Sequence, residues 1–160
     1  MKELNLQTAY NLFDSKDDLP SDIQKLLVLA KDAITRAYAP YSYFQVGAAV
    51  LLENGKTVTG NNQENAAYPS GMCAERVAIW SASSQYPNVA IKKIIITVKS
   101  TLKQVDKPVA PCGACRQTLL EYEHKQQEPI EVYFMGETGK VVKANSLKDL
   151  LPFAFDESFL

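Results

Sequence analysis

The sequence predicts an α/β fold, a three-layer α/β/α sandwich with one mixed five-stranded sheet, and three observations carry that prediction. Five strand-like runs lie between residues 44 and 144, helical patterns are interleaved with them, and Pro, Gly and Asn-Gly breaks separate the segments. With 160 residues and 46% apolar content the chain can fill the core of a single domain.

Taken in order, residues 1–20 mix polar and apolar types without a clear period, end in Asp17-Asp18-Leu19-Pro20, and read as an extension before a domain spanning 21–160. Ser21 is placed to cap a helix in which Ile23, Leu26, Leu27, Ala30, Ala33, Ile34 and Ala37 recur at helical spacing until Pro40 stops it. Phe44 to Glu53 and Lys56 to Asn61 flank Asn54-Gly55, the signature of a tight β-hairpin. Pro69-Ser70-Gly71 breaks the chain before Cys73, and the alanine-rich run Ala74 to Ser84 suits a closely packed helix. Ile91 to Val98 is apolar enough for a strand covered on both faces. After a loop over Lys107 to Pro111 the pattern predicts a helix from Cys112 to Glu123, strands at Ile130 to Met135 and Val141 to Ala144, and a short helix from Ser146 to Leu151. No internal repeat or low-complexity segment interrupts this order.

Charge and composition exclude several function classes. Seventeen basic and eighteen acidic side chains leave a net charge of -1, without the cationic excess of a protein that tracks phosphate backbones, so no nucleic-acid partner is expected. No apolar run approaches the roughly 18 residues of a membrane span, and Met1 to Tyr10 lacks the apolar stretch of a signal peptide. A soluble, cytoplasmic protein with no membrane partner is the expectation. Three cysteines are a poor disulfide framework, and two of them form a C-x-x-C unit of the kind used for metal or redox work.

Cys112 and Cys115 are three apart at the start of a predicted helix, so their side chains share a face and can bind one metal together. Cys73 opens another predicted helix after a similar Pro/Gly break, so the two helix starts can converge on one ion. Three thiolates on a divalent zinc carry one excess negative charge, and two helix N-termini, each worth about half a positive charge, roughly offset it. Helix starts also lower thiol pKa values, favouring the thiolate a metal needs. The only histidine, His124, lies among Glu123, Lys125, Gln126 and Gln127 at a helix end that reads as exposed, which sets it aside as a ligand. Three protein ligands leave a place for water, the pattern of a catalytic rather than a structural zinc. Glu75, two residues after Cys73, is close enough to serve as a proton shuttle. Taken singly, these features have plainer readings: a lone C-x-x-C is often structural or redox-active, and a helix glutamate is usually solvated.

The combination is more specific. Asn62-Gln63-Glu64-Asn65-Ala66-Ala67-Tyr68-Pro69, then Cys73-Ala74-Glu75-Arg76, then Pro111-Cys112-Gly113-Ala114-Cys115-Arg116-Gln117 resemble the small, homotetrameric class of cytidine deaminases. A glutamate that is not a ligand and a P-C-x-x-C element are the general signature of zinc deaminases. The likeness extends to Pro40 through Ala49 and to Leu150-Leu151-Pro152, and so spans about residues 21 to 155. It implies a cytidine deaminase-like fold and hydrolytic deamination of free cytidine and deoxycytidine, a step of pyrimidine salvage. It also implies one Zn2+ per subunit on Cys73, Cys112 and Cys115, with Glu75 as the catalytic proton carrier.

By the same resemblance Asn62 and Glu64 bind the ribose hydroxyls, Ala66 adjoins the substrate, and Phe44 packs against the pyrimidine. Tyr68 and Phe155 reach into a neighbouring subunit's site, and Arg76 hydrogen-bonds the zinc thiolates. Arg116 reads more simply as a solvated or structural arginine. Residues 1–20 and the tail after Phe155 depart from the family pattern, which bears on assembly rather than chemistry. Three other readings are open to the sequence: a deaminase for another cytosine compound such as a blasticidin-type antibiotic, a deaminase acting on RNA or DNA, and a non-catalytic zinc module. Asn62 with Glu64, the slightly acidic charge balance, and Glu75 argue against them in turn.

Overall fold

The computed structural model describes residues 1–160. Its strands are β1 (Tyr10–Phe13), β2 (Phe44–Leu52), β3 (Thr57–Asn61), β4 (Ile91–Ser100), β5 (Glu131–Met135) and β6 (Val141–Ala144), and its helices are α1 (Ser21–Ile34), α2 (Ala74–Gln85) and α3 (Gly113–Gln126). All six strands join one mixed sheet in the order β1-β6-β5-β4-β2-β3. The expected count of five strands is therefore corrected to six. The additional strand pairs Tyr10 with Ala144 through Phe13 with Val141. Three of its four residues are exposed, so no apolar alternation announces it; it is a strand because β6 offers it an open edge. The Tyr10 hydroxyl donates to the Asp149 carbonyl oxygen at 2.6 Å and ties this edge to the turn beyond β6.

β4 forms the spine, with Ile94, Ile95, Ile96, Thr97 and Val98 all buried, because helices cover both faces of the sheet. On one face α1 packs Ile23, Leu26, Leu27 and Ala30 against Ala49, Ile95, Tyr133 and Met135. On the other, α2 and α3 pack Ala78, Ile79, Ala82, Leu119 and Leu120 against Ala48, Val50, Ile94, Ile96 and Val132. Small residues allow close approach: a Cβ on Gly60 of β3 would lie 2.4 Å from the Ala74 carbonyl oxygen and 2.5 Å from the Ala78 nitrogen, both backbone atoms of α2.

Several local readings shift by a residue or two. Ser21 is the first residue of α1 instead of its cap; Pro20 occupies the cap position, with no side-chain cap bond, and its fixed φ of -53° leads into the helix. That helix stops at Ile34, short of Ala37, as the backbone tightens into bonds from Arg36 N to Ala33 O and from Ala37 N to Ile34 O. Cys112 caps α3 instead of lying inside it. The turn after β6 is a single 3-10 turn over Leu147–Asp149, capped by the Ser146 side chain. No helix is long and apolar enough to cross a membrane.

Strand direction places the two cysteine-bearing helix starts together. β3 and β4 both run antiparallel to β2, so they point the same way. α2 follows β3 and α3 follows β4, so both helices begin at the same end of the sheet and on the same face. Sites in α/β sheets are commonly built at this end.

Candidate active site

Cys73 and Cys112 are the N-cap residues of α2 and α3, both extended, and neither uses its side chain in a cap hydrogen bond. Their thiols are therefore free to face each other, and Cys115, in the first turn of α3, completes a group whose Sγ atoms all lie within 4.8 Å of one another. The Cys73 and Cys112 sulfurs are 4.0 Å apart. That is about twice a disulfide bond of roughly 2.05 Å. It is close to the ~3.8 Å sulfur separation expected when bonds of about 2.3 Å meet at a tetrahedral metal. The sulfur donor set, its count and its spacing thus fit a zinc ion. Exposure rises from Cys115, buried, through Cys73 to Cys112, exposed, so the cluster has one side toward solvent.

The thiols share their protons unequally. A hydrogen bond from Cys115, opposed by burial and reinforced by Arg76, holds the Cys73 thiol down at about 5. Cys115, donating to Cys73 and buried, is pushed well above the usual thiol range. Arg76 Nη2 lies 3.5 Å from Cys73 Sγ, its guanidinium sits 5.9 Å from the centre of the Trp80 ring, and its Nε is buried without a protein partner.

Glu75, one residue inside α2, is only 5% exposed. Burial raises its carboxyl pKa above the ordinary value, and the neighbouring Cys73 thiolate adds to the rise. It lines a cavity of about 520 Å³ together with Cys73, Cys112, Asn62, Glu64, Tyr68 and Arg76. This volume is within the usual range for a small-molecule site. Apolar walls come from Val46, Ile96, Val98, Val109 and Ala110.

Asn62 continues the hairpin ladder beyond its last backbone pair: Oδ1 accepts from Val46 N at 2.8 Å and Nδ2 donates to Phe44 O at 2.9 Å. These bonds leave one donor and one acceptor position of its amide unused, and the residue lines the cavity. Glu64 Oε2 accepts from the Tyr41 and Ser42 amides at 3.0 and 3.2 Å, and Oε1 accepts from the Ser42 hydroxyl.

Not every residue singled out in the sequence comes to this cavity. Phe44, Ala66, Phe155 and the buried Cys115 are absent from its walls. Phe44 is half-buried at the start of β2, and Ala66 is exposed. Phe155, 58% exposed, stacks on Phe159 at 5.7 Å and is held through its carbonyl by Gln117 Nε2. Tyr68 sits on the cavity wall with 80% of its surface exposed. His124, in the last turn of α3, faces Asp156 at 3.9 Å. Twelve residues of helix, about 18 Å, separate it from Cys112. Arg116 is structural: its Nε donates to Pro111 O and its Nη1 to Leu150 O, stapling the loop before α3 to the turn after β6.

Tyr41, Ser42, Gln63, Asn65 and Met72 also line the cavity, without a role assigned from sequence. The available signal was Ser42 itself, a hydroxyl in the tight bend leading into β2, where such side chains usually bond the backbone.

Comparison with known proteins agrees with this geometry. A family model described as "Cytidine and deoxycytidylate deaminase zinc-binding region" matches residues 20–127. A cytidine deaminase of Sporosarcina psychrophila is 40% identical over 139 residues, 87% of this chain and 95% of its own. One from Halalkalibacterium halodurans is 35% identical over 134 residues, 84% of this chain and 94% of its own. A crystal structure of cytidine deaminase from Burkholderia pseudomallei superposes with a TM-score of 0.71 at 40% identity, covering 82% of this chain and 98% of that one.

Proposed function

From the premise that this chain belongs to the cytidine and deoxycytidylate deaminase family, and is an enzyme of that class, we propose that it hydrolyses free cytidine and deoxycytidine to uridine and deoxyuridine, releasing ammonia. The observation that carries this reading is a cluster of three sulfur donors, two of which, Cys73 and Cys112, open into one cavity beside a buried glutamate whose pKa is raised. In this reading Cys73, Cys112 and Cys115 hold one zinc per subunit. Bound there, zinc supplies a Lewis acid that makes water a nucleophile near neutral pH.

The chain's own residues then manage binding and protons. Glu75 accepts a proton from the attacking water and delivers it to N3 of the base as oxygen bonds to C4. It next carries the hydroxyl proton to the amino nitrogen, which departs as ammonia. Its raised pKa supports this double duty, since an ordinary glutamate stays ionised near neutral pH and donates poorly. Asn62 and Glu64 bind the sugar hydroxyls; Phe44 and Ala66, which lie outside the cavity walls of the single chain, are given to the substrate by the family resemblance alone; Arg76 moderates the negative charge of the thiolates through its contact with Cys73.

We further propose a cytoplasmic homotetramer serving pyrimidine salvage, in which Tyr68 and Phe155 each enter a neighbour's site. The support is that these rings are 80% and 58% exposed in one chain, an arrangement a second copy would cover. Ammonia release from cytidine, deoxycytidine and cytosine-bearing antibiotics, measured side by side, tests the function. Rapid release from the two nucleosides is expected; release from neither would refute the proposal.

A further inference from the structure

We propose that Ser42 is the positioning residue that fixes Glu64 for a sugar hydroxyl of the substrate, an inference that rests on the ribose role given to Glu64 above. Glu64 lies 22 residues from Ser42 in sequence, yet both its carboxylate oxygens are held by the bend at Tyr41 and Ser42. The Glu64 backbone is tied to the same segment, its N–H donating to Tyr38 O at 2.8 Å.

The direction of the Ser42 bond follows from elementary accounting of protons. Ser42 Oγ lies 3.0 Å from the Phe44 amide, which can only donate. The hydroxyl oxygen is therefore the acceptor of that bond, and its own hydrogen is left to point at Glu64 Oε1.

The bend holding this hydroxyl is itself built. Tyr43, between the two partners, adopts φ 55°, a left-handed conformation uncommon for a bulky residue. It is fixed by Tyr43 N donating to Ala39 O at 3.1 Å and by Thr101 N donating to Tyr43 O at 3.2 Å. A carboxylate has about four lone-pair positions, and three are taken by this bend. One position on Oε1 remains for a single hydroxyl donor, with a direction set by Ser42. Partial burial pushes the Glu64 carboxyl up, but the bonds from Ser42 Oγ and the Tyr41 and Ser42 amides outweigh it and leave the pKa below the ordinary carboxylate value. The group is thus a fixed anion throughout the neutral range.

The test compares cytidine with 2′,3′-dideoxycytidine, which lacks both sugar hydroxyls, in Ser42→Ala, Ser42→Thr and Glu64→Ala. Ser42→Ala should raise KM for cytidine on the order of tenfold with kcat nearly unchanged, the effect of losing one hydrogen bond to a charged group. It should leave kcat/KM for the dideoxy compound within about twofold of the parent, and Ser42→Thr should recover most of the discrimination. Glu64→Ala should lower that discrimination at least as far as Ser42→Ala does, leaving the share that Asn62 supplies. A general loss of folded protein would lower both substrates together and so cannot imitate this pattern. If Ser42→Ala preserves discrimination that Glu64→Ala lowers, the positioning role is overturned and the ribose reading stands. If Glu64→Ala leaves discrimination at the parent's level, the ribose role given to Glu64 is wrong and this inference falls with it.

Discussion

Glu123 sits near the far end of α3 from the thiols and is only 4% exposed. Its Oε2 accepts from Ile130 N at 2.8 Å and Leu147 N at 2.9 Å, and its Oε1 accepts from Ser146 Oγ. One carboxylate thereby joins the end of α3, the approach to β5 and the turn after β6. Replacing Glu123 by Ala leaves two buried backbone N–H groups without a partner. Each such group costs about 1–3 kcal/mol, so the expected loss is roughly 4 kcal/mol. That is a large share of the ~5–15 kcal/mol typical of a folded domain. For a chain of this size it corresponds to a Tm lower by on the order of 10 °C.

Glu123→Gln should cost much less. The amide oxygen can replace Oε2 as acceptor for both N–H groups, and the amide nitrogen can donate to Ser146 Oγ. Only the added strength of a charged acceptor is lost, about 1 kcal/mol. Urea unfolding of the parent and both variants at one protein concentration reads the two losses. Equal losses for Ala and Gln, or a loss below about 1 kcal/mol for Ala, would refute the claim that these buried hydrogen bonds hold the segment together.

Other positions give further tests. Gly60→Ala forces a Cβ to within 2.4 Å of the Ala74 carbonyl oxygen, so α2 must move and carry Cys73 and Glu75 with it. A loss of about 1–3 kcal/mol together with weaker zinc retention is expected; unchanged Tm and unchanged metal content would contradict this. A hydrogen bond from Lys93, at 2.7 Å, holds the Asp22 carboxyl below its ordinary pKa. A depressed folded pKa stabilises above the unfolded value of about 3.9 and loses that contribution as pH falls through the folded value. The Asp22 side chain is 45% exposed, so solvent screening limits the effect. Asp22→Asn should then cost only about 0.5 kcal/mol at pH 7, with the difference shrinking as pH falls below about 4. A penalty of equal size at pH 7 and pH 3, measured by denaturant titration, would rule out the ionic explanation.

Much of this architecture is legible in the sequence because its local signals are strong. Asn54-Gly55 marks the hairpin, and Gly55 has φ 78° as the turn requires. The apolar repeat from Ile23 to Ile34 marks α1, and both cysteine-bearing breaks lead into helices. What the sequence leaves hidden depends on partners distant along the chain. Tyr10–Phe13 becomes a strand through β6. Glu123, in a run that reads as a solvated helix end, is buried because Ile130 and Leu147 bring unpaired N–H groups to it. The convergence of Cys73 with Cys112 is expected from their two similar helix starts, while its cause, β3 and β4 sharing a direction through their pairing with β2, comes from the topology. Asn62 and Glu64 are recognisable as polar residues of a motif, whereas the bonds that aim them come from β2 and from the bend at Ser42.

The central claim is that a zinc held by three thiolates and a separate, buried proton carrier share one site. Metal analysis and cytidine turnover on the parent and on Glu75→Ala test it most directly. One zinc per chain in both proteins, with ammonia release abolished in the variant alone, is the predicted result. An active parent that contains no metal, or a zinc-loaded Glu75→Ala that keeps most of its turnover, would contradict it.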